Sequence, residues 1–127
     1  MGQFTMSLSR IVLKFSIRGK GKVEAEFFRH LAPNTVGSII RSLPIEGRVN
    51  NFDGKFVYIL SQLKVAIEKA KNRFKKGEVA FLASGGAICV FLEDVSVAKP
   101  MNPIGNIVSG LEFFEQTSSG DVVSLIT

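Results

Sequence analysis

From Ile11 to Ile17 the chain settles into alternation, with Leu13, Phe15 and Ile17 on one side and Lys14 and Ser16 on the other. A period of two predicts a half-buried strand. Arg18-Gly19-Lys20-Gly21-Lys22 reads as a turn, and Val23, Ala25 and Phe27 then alternate with Glu24 and Glu26. Two such strands across a glycine-bearing turn predict a hairpin. The period changes after His30. Val36, Ile39, Ile40 and Leu43 recur at helical spacing, Pro33 suits a first helical turn, and Pro44 ends the run. This predicts one short amphipathic helix, about Pro33 to Ser42, with its apolar stripe on a sheet.

Asp53-Gly54 is a turn signal, and Phe56-Val57-Tyr58-Ile59-Leu60 follows it as a strand. The pattern splits between Ser61 and Lys76. Leu63, Ile67, Ala70 and Phe74 are helically spaced, but Leu63, Val65 and Ile67 also alternate, and the periodicity leans towards helix. Gly77 to Asp94, GEVAFLASGGAICVFLED, sets Gly85-Gly86 between two apolar runs. A phosphate loop needs a helix after its glycines. Ala87 to Leu92 is instead rich in strand formers, so the segment predicts a hairpin. Val95-Ser96-Val97 extends it, Lys99 to Pro103 reads as a loop, Ile104 to Gly110 leads to Leu111, and Val122 to Ile126 is a closing strand after Gly120-Asp121. Many short strands and one helix predict a mainly β fold, a small closed β-barrel.

At 127 residues the chain is long enough for one domain, 1–127, with a core that needs no staples. Its single cysteine, Cys89, lies in an apolar run and reads as a buried thiol. With one histidine, His30, at a strand end, nothing suggests a metal site or a resident cofactor. Lys14 interrupts the first apolar run, so no signal peptide is read, and Met6 stands where a myristoylation start at Met1-Gly2 would want Ser or Thr. A soluble cytoplasmic protein with no membrane partner is the expectation. The net charge of +5 comes from one window, Lys64 to Lys76, with six basic residues and one acid. Lys64, Lys69, Lys71, Arg73, Lys75 and Lys76 form either a solvated face or a nucleic-acid surface. The number of subunits is left open.

The order of these parts resembles the small prokaryotic cyclophilin-like proteins, an uncharacterised family, from about Arg10 to Ile126. Three places carry the resemblance: Ala32-Pro33-Asn34-Thr35-Val36 leading to Leu43-Pro44-Ile45-Glu46-Gly47, the hairpin from Gly77 to Leu92, and Asn102-Pro103-Ile104-Gly105-Asn106-Ile107. It implies the cyclophilin barrel, and a strand rather than a helix over Leu63 to Glu68. Family members often carry Trp near the position of Phe52 and Tyr-Trp-Pro-Pro before the hairpin glycine. Here the chain reads Phe81-Leu82-Ala83-Ser84 and holds no Trp.

True cyclophilins isomerise X-Pro bonds across a barrier of about 18–20 kcal/mol, using an arginine in a Phe-His-Arg stretch. That stretch is absent, and the corresponding Gly47-Arg48-Val49-Asn50-Asn51-Phe52 offers Arg48 alone. The expectation is therefore a non-catalytic module that binds a peptide or small molecule in an apolar groove. Arg48, Asn50, Phe52, Tyr58 and Phe81 are the expected lining, with Arg48 for an anionic or carbonyl group, Asn50 for directional hydrogen bonds and the rings for contact area. Prolyl isomerisation and nucleic-acid binding through the 64–76 segment are the alternatives.

Overall fold

The computed structural model describes residues 9–127, so the reading of Met1-Gly2 lies outside the described residues. The chain runs β1 (Arg10–Ile17), β2 (Gly21–Phe28), α1 (Pro33–Arg41), β3 (Ile45–Arg48), β4 (Asn50–Phe52), β5 (Phe56–Leu60), β6 (Lys71–Phe74), β7 (Glu78–Leu82), β8 (Ala87–Phe91), β9 (Val95–Ser109), α2 (Leu111–Glu115) and β10 (Val122–Ile126). The sheet order is β3-β10-β1-β2-β9-β7-β8-β5-β4, and β6 pairs with β9 off this path. The mainly β class and the order of parts are as expected.

Each alternating strand sends one set of side chains to a single core. Leu13, Phe15 and Ile17 of β1 meet Val23, Ala25 and Phe27 of β2 there, together with Val36 and Ile39 of α1. The β8 run is apolar throughout because both of its faces are covered. Ile88 and Val90 enter the main core, while Ala87, Cys89 and Phe91 join a second cluster with Phe56, Phe74, Ala80 and Met101. Its partners divide in the same way: Val57 and Ile59 of β5 and Val79 and Phe81 of β7 face inward. The 77–94 hairpin has a four-residue loop, Ala83 to Gly86, because Leu82 pairs with Ala87. Gly86 takes a φ of +68°, and a Cβ there would meet the Ser61 carbonyl oxygen at 2.9 Å.

Four expectations are corrected. The barrel is not closed by hydrogen bonds, since β3 and β4 end the strand order. Instead β3 packs against β5, where a Cβ on Gly47 would stand 3.2 Å from Ile59 Cβ. Residues 99–103, read as a loop because of Pro100 and Pro103, lie within the 15-residue β9. Proline survives in strands at irregularities, and β9 shifts register against β6 around Pro100 and against β7 near Pro103. The Asn72 amide spans the first shift by donating to the Val97 and Ala98 carbonyls at 2.9 and 3.4 Å. A second helix, α2, follows Gly110, whose φ of +87° turns the chain and seats Phe114 in the core.

The fourth correction concerns residues 61–70, which form neither the helix favoured by the periodicity nor the strand implied by the resemblance. They lie as a strap, with Leu63 and Val65 packed on the main core and Ile67 exposed. At one end Ser61 donates from its amide and its hydroxyl to the Gly86 carbonyl, both at 2.8 Å. At the other, the Glu68 carboxylate accepts from the amides of Asn34 and Thr35 at 3.0 and 2.7 Å and from the Thr35 hydroxyl at 2.7 Å. The buried Asn102 completes this knot. It accepts from the Glu68 amide at 2.8 Å and donates to the Thr35 hydroxyl and the Ala66 carbonyl. Helix α1 has no side-chain cap of its own, Ala32 standing at its N-cap, so the strap supplies one.

Candidate functional site

The β4–β5 hairpin sets the site's outer edge. Asp53 and Gly54 both take positive φ in its turn, and Asn51 Oδ1 accepts from the Gly54 amide at 2.7 Å. The register places Phe52 opposite Phe56 and Asn50 opposite Tyr58, so these four side chains share the outward face. Phe52 is 53% exposed and stacks on Phe56 with centroids 4.9 Å apart. Phe56 in turn meets Tyr58 at 6.1 Å and Phe91 at 5.2 Å.

Between this edge and the first half of β9 lies a groove of about 200 Å³. Its walls are Phe52, Phe56, Leu82, Val95, Val97 and Met101, and Lys55 and Lys99 stand at its rim. Phe56 and Met101 belong to the second cluster, which also holds the small residues Ala80, Ala87 and Cys89, and Leu82, Val95 and Val97 pack against it. Burial raises the Cys89 thiol pKa to about 12, so it is a packing group rather than a nucleophile at neutral pH. A void inside the main core, lined by Phe15, Val57, Ile88 and Phe114 among others, measures only about 10 Å³ and has no room for a ligand.

Of the five residues expected to line a site, the groove takes Phe52 alone. Asn50 and Tyr58 continue the same face, one pair further along the hairpin, and the Asn50 amide donates to the Arg48 carbonyl at 3.2 Å. Arg48 lies beyond the buried Val49, and its guanidinium donates to the Gly120 carbonyl at 3.0 Å, away from the groove. Phe81 is fully buried and faces the opposite side of the sheet, opposite Ile88 in the main core. Alternation along β7 decides this, since its neighbours Ala80 and Leu82 take the groove side. Lys55, Leu82, Val97, Lys99 and Met101 were missed. The residues around Pro100 carry loop signals, so no alternation pointed to a wall there.

The basic segment is partly neutralised. Lys71 pairs with Glu78 at 3.0 Å, Lys76 with Glu115 at 3.6 Å, and Lys69 donates to the His30 carbonyl at 3.0 Å. His30 is exposed, with Nδ1 2.9 Å from the Ser9 hydroxyl. No cluster of three or more metal-ligating side chains occurs among the described residues, and no described helix is long and apolar enough to cross a membrane.

The fold has clear relatives. A hypothetical protein of Archaeoglobus fulgidus, known from a solution structure, is 28% identical over 93% of this chain and 95% of its own, with a TM-score of 0.79. McbB, in a structure with tryptophan, is 14% identical and superposes with a TM-score of 0.74 over 90% of this chain. This chain spans 44% of McbB, and that likeness is one of fold. No curated protein matches in sequence. The cyclophilin-like family model matches residues 10–126, nearly the whole chain, and the protein belongs to the cyclophilin-like family.

Proposed function

We propose that the domain is a non-catalytic binding module whose groove accepts an apolar side chain or ring of a peptide or small molecule. The observation that carries this is Phe52. A ring more than half exposed, stacked on a buried neighbour at the mouth of an apolar groove, is held ready for contact instead of being hidden. Covering such a ring is worth on the order of 1–2 kcal/mol. Asn50 and Tyr58 extend the surface with polar tips, and Lys55 and Lys99 give the rim a positive sign. Arg48 stands apart from the groove and enters the reading only as a more distant anchor.

The test is a fragment and peptide screen followed by amide chemical shifts, with tryptophan, the molecule in the McbB structure, as one probe. Shifts clustered at 52–56 and 95–101, with affinity falling roughly tenfold in Phe52→Ala, are expected from the area that the ring contributes. Binding that leaves those amides unmoved would sink the reading. So would acceleration of X-Pro isomerisation that disappears in Arg48→Ala, which would make the protein an enzyme working through a different surface.

A further inference from the structure

The groove does not stop at β9. Val95 and Ser96 also line a larger open cleft of about 600 Å³, walled by Lys71, Arg73, Phe74, Lys75, Glu78 and Asp94. The two depressions adjoin because β6 lies along the start of β9, with Arg73 opposite Ser96 and Phe74 opposite Val95. A continuous series of ring contacts connects them. Phe52 stacks on Phe56, Phe56 meets Phe91, and Phe91 stacks on Phe74 at 4.6 Å.

The charges around the two depressions are unequal. Lys55, Lys71, Arg73, Lys75 and Lys99 face Glu78 and Asp94, so five cations less two carboxylates leave +3. Both carboxylates are already engaged. Glu78 accepts from Lys71 Nζ at 3.0 Å and from the Lys75 amide at 2.7 Å, and Asp94 accepts from the Lys76 amide at 2.8 Å. Lys55, Arg73, Lys75 and Lys99 have no carboxylate partner among the described residues.

We infer that groove and cleft together take an acidic peptide in extended form. An apolar side chain sits among Phe52, Phe56, Leu82 and Met101, and flanking carboxylates face Arg73, Lys75 and the rim lysines. This rests on the groove being the binding surface proposed above. From Val95 to Met101 the strand covers roughly 20 Å, about six extended residues. A peptide fits the surface better than a nucleic acid does. Glu78 and Asp94 stand inside the cleft, where a phosphate backbone would bring a negative charge past them at every unit. A peptide spaces its charges singly between apolar side chains.

The probe is a fluorescein-labelled hexapeptide of alternating glutamate and leucine, measured by anisotropy beside its lysine–leucine counterpart, an uncharged serine–leucine peptide and a dodecamer of thymidylate. The acidic peptide is expected to bind at least roughly tenfold more tightly than the other peptides and to weaken as salt rises, since exposed charges are screened. Arg73→Glu with Lys75→Glu changes two exposed side chains and is expected to remove that preference. Phe52→Ala is expected to weaken the acidic and uncharged peptides alike. If the acidic and uncharged peptides bind equally, and salt and the charge reversal do nothing, the acidic specificity is overturned while the groove stands. If no peptide responds to Phe52→Ala, the groove itself fails. Tighter binding of thymidylate than of any peptide would replace this inference with a nucleic-acid surface.

Discussion

Replacing Glu68 with alanine removes the carboxylate that ties the 61–70 strap to α1. The loss can be worked from its partners. The amides of Asn34 and Thr35 lose the acceptor that caps the helix, a change that typically costs about 1 kcal/mol, and the exposed Asn34 can rehydrate. The Thr35 side chain cannot rehydrate as easily. Thr35 is fully buried, and its hydroxyl, which still accepts from Asn102, is left with no acceptor for its proton, adding about 1–2 kcal/mol. The sum is about 2–3 kcal/mol, or a urea midpoint lowered by roughly 1–2 M at the slope usual for a domain of this size. Glu68→Gln keeps one acceptor oxygen and should lose about half as much.

Acid supplies the same perturbation reversibly. Burial opposes ionisation of Glu68, but the Thr35 hydroxyl and the amides of Asn34 and Thr35 together hold its pKa below the ordinary 4.5. A depressed folded value means that the charged carboxylate stabilises the fold fully above 4.5. That contribution fades as pH falls through the lower folded value. Urea titrations from pH 6 downward should therefore show a loss below 4.5 that Glu68→Gln flattens. An unfolding free energy for Glu68→Ala within about 0.5 kcal/mol of the parent, with an unchanged acid limb, would refute the view that the strap caps the helix.

Gly105→Ala should be far harsher than its chemistry suggests, because a Cβ at Gly105 would overlap the Glu26 carbonyl oxygen of the neighbouring strand. We expect a loss of about 3 kcal/mol or more by thermal or urea unfolding, since backbone must shift. Gly54→Ala, with open space around it but a φ of +72°, should lose only about 1 kcal/mol; equal losses would contradict the steric account. Cys89, its pKa raised to about 12 by burial, should react with a thiol-specific disulfide reagent only as the protein unfolds. Rapid labelling of the native state would show that the second cluster is open.

What the sequence determines by itself is the set of elements whose cause is local. The hairpin of β1 and β2, helix α1 and the strands flanking Gly85-Gly86 were legible because alternation, helical spacing and turn residues act within a few residues of one another. Tertiary structure alone decided the rest. Residues 61–70 satisfy their polar groups against Gly86, α1 and Asn102, through bonds that span 25 or more positions, so no local period could describe them. Pro100 and Pro103 join a strand only because β6, β7 and the Asn72 amide accommodate the shifts in register. The site was divided for the same reason. Phe52 and Phe81 read alike as lining rings, yet pairing sets one at an open edge and the other in the core. Which face of a strand meets water is a property of the assembled sheet, because a side chain's burial depends on the strands that come to lie beside it.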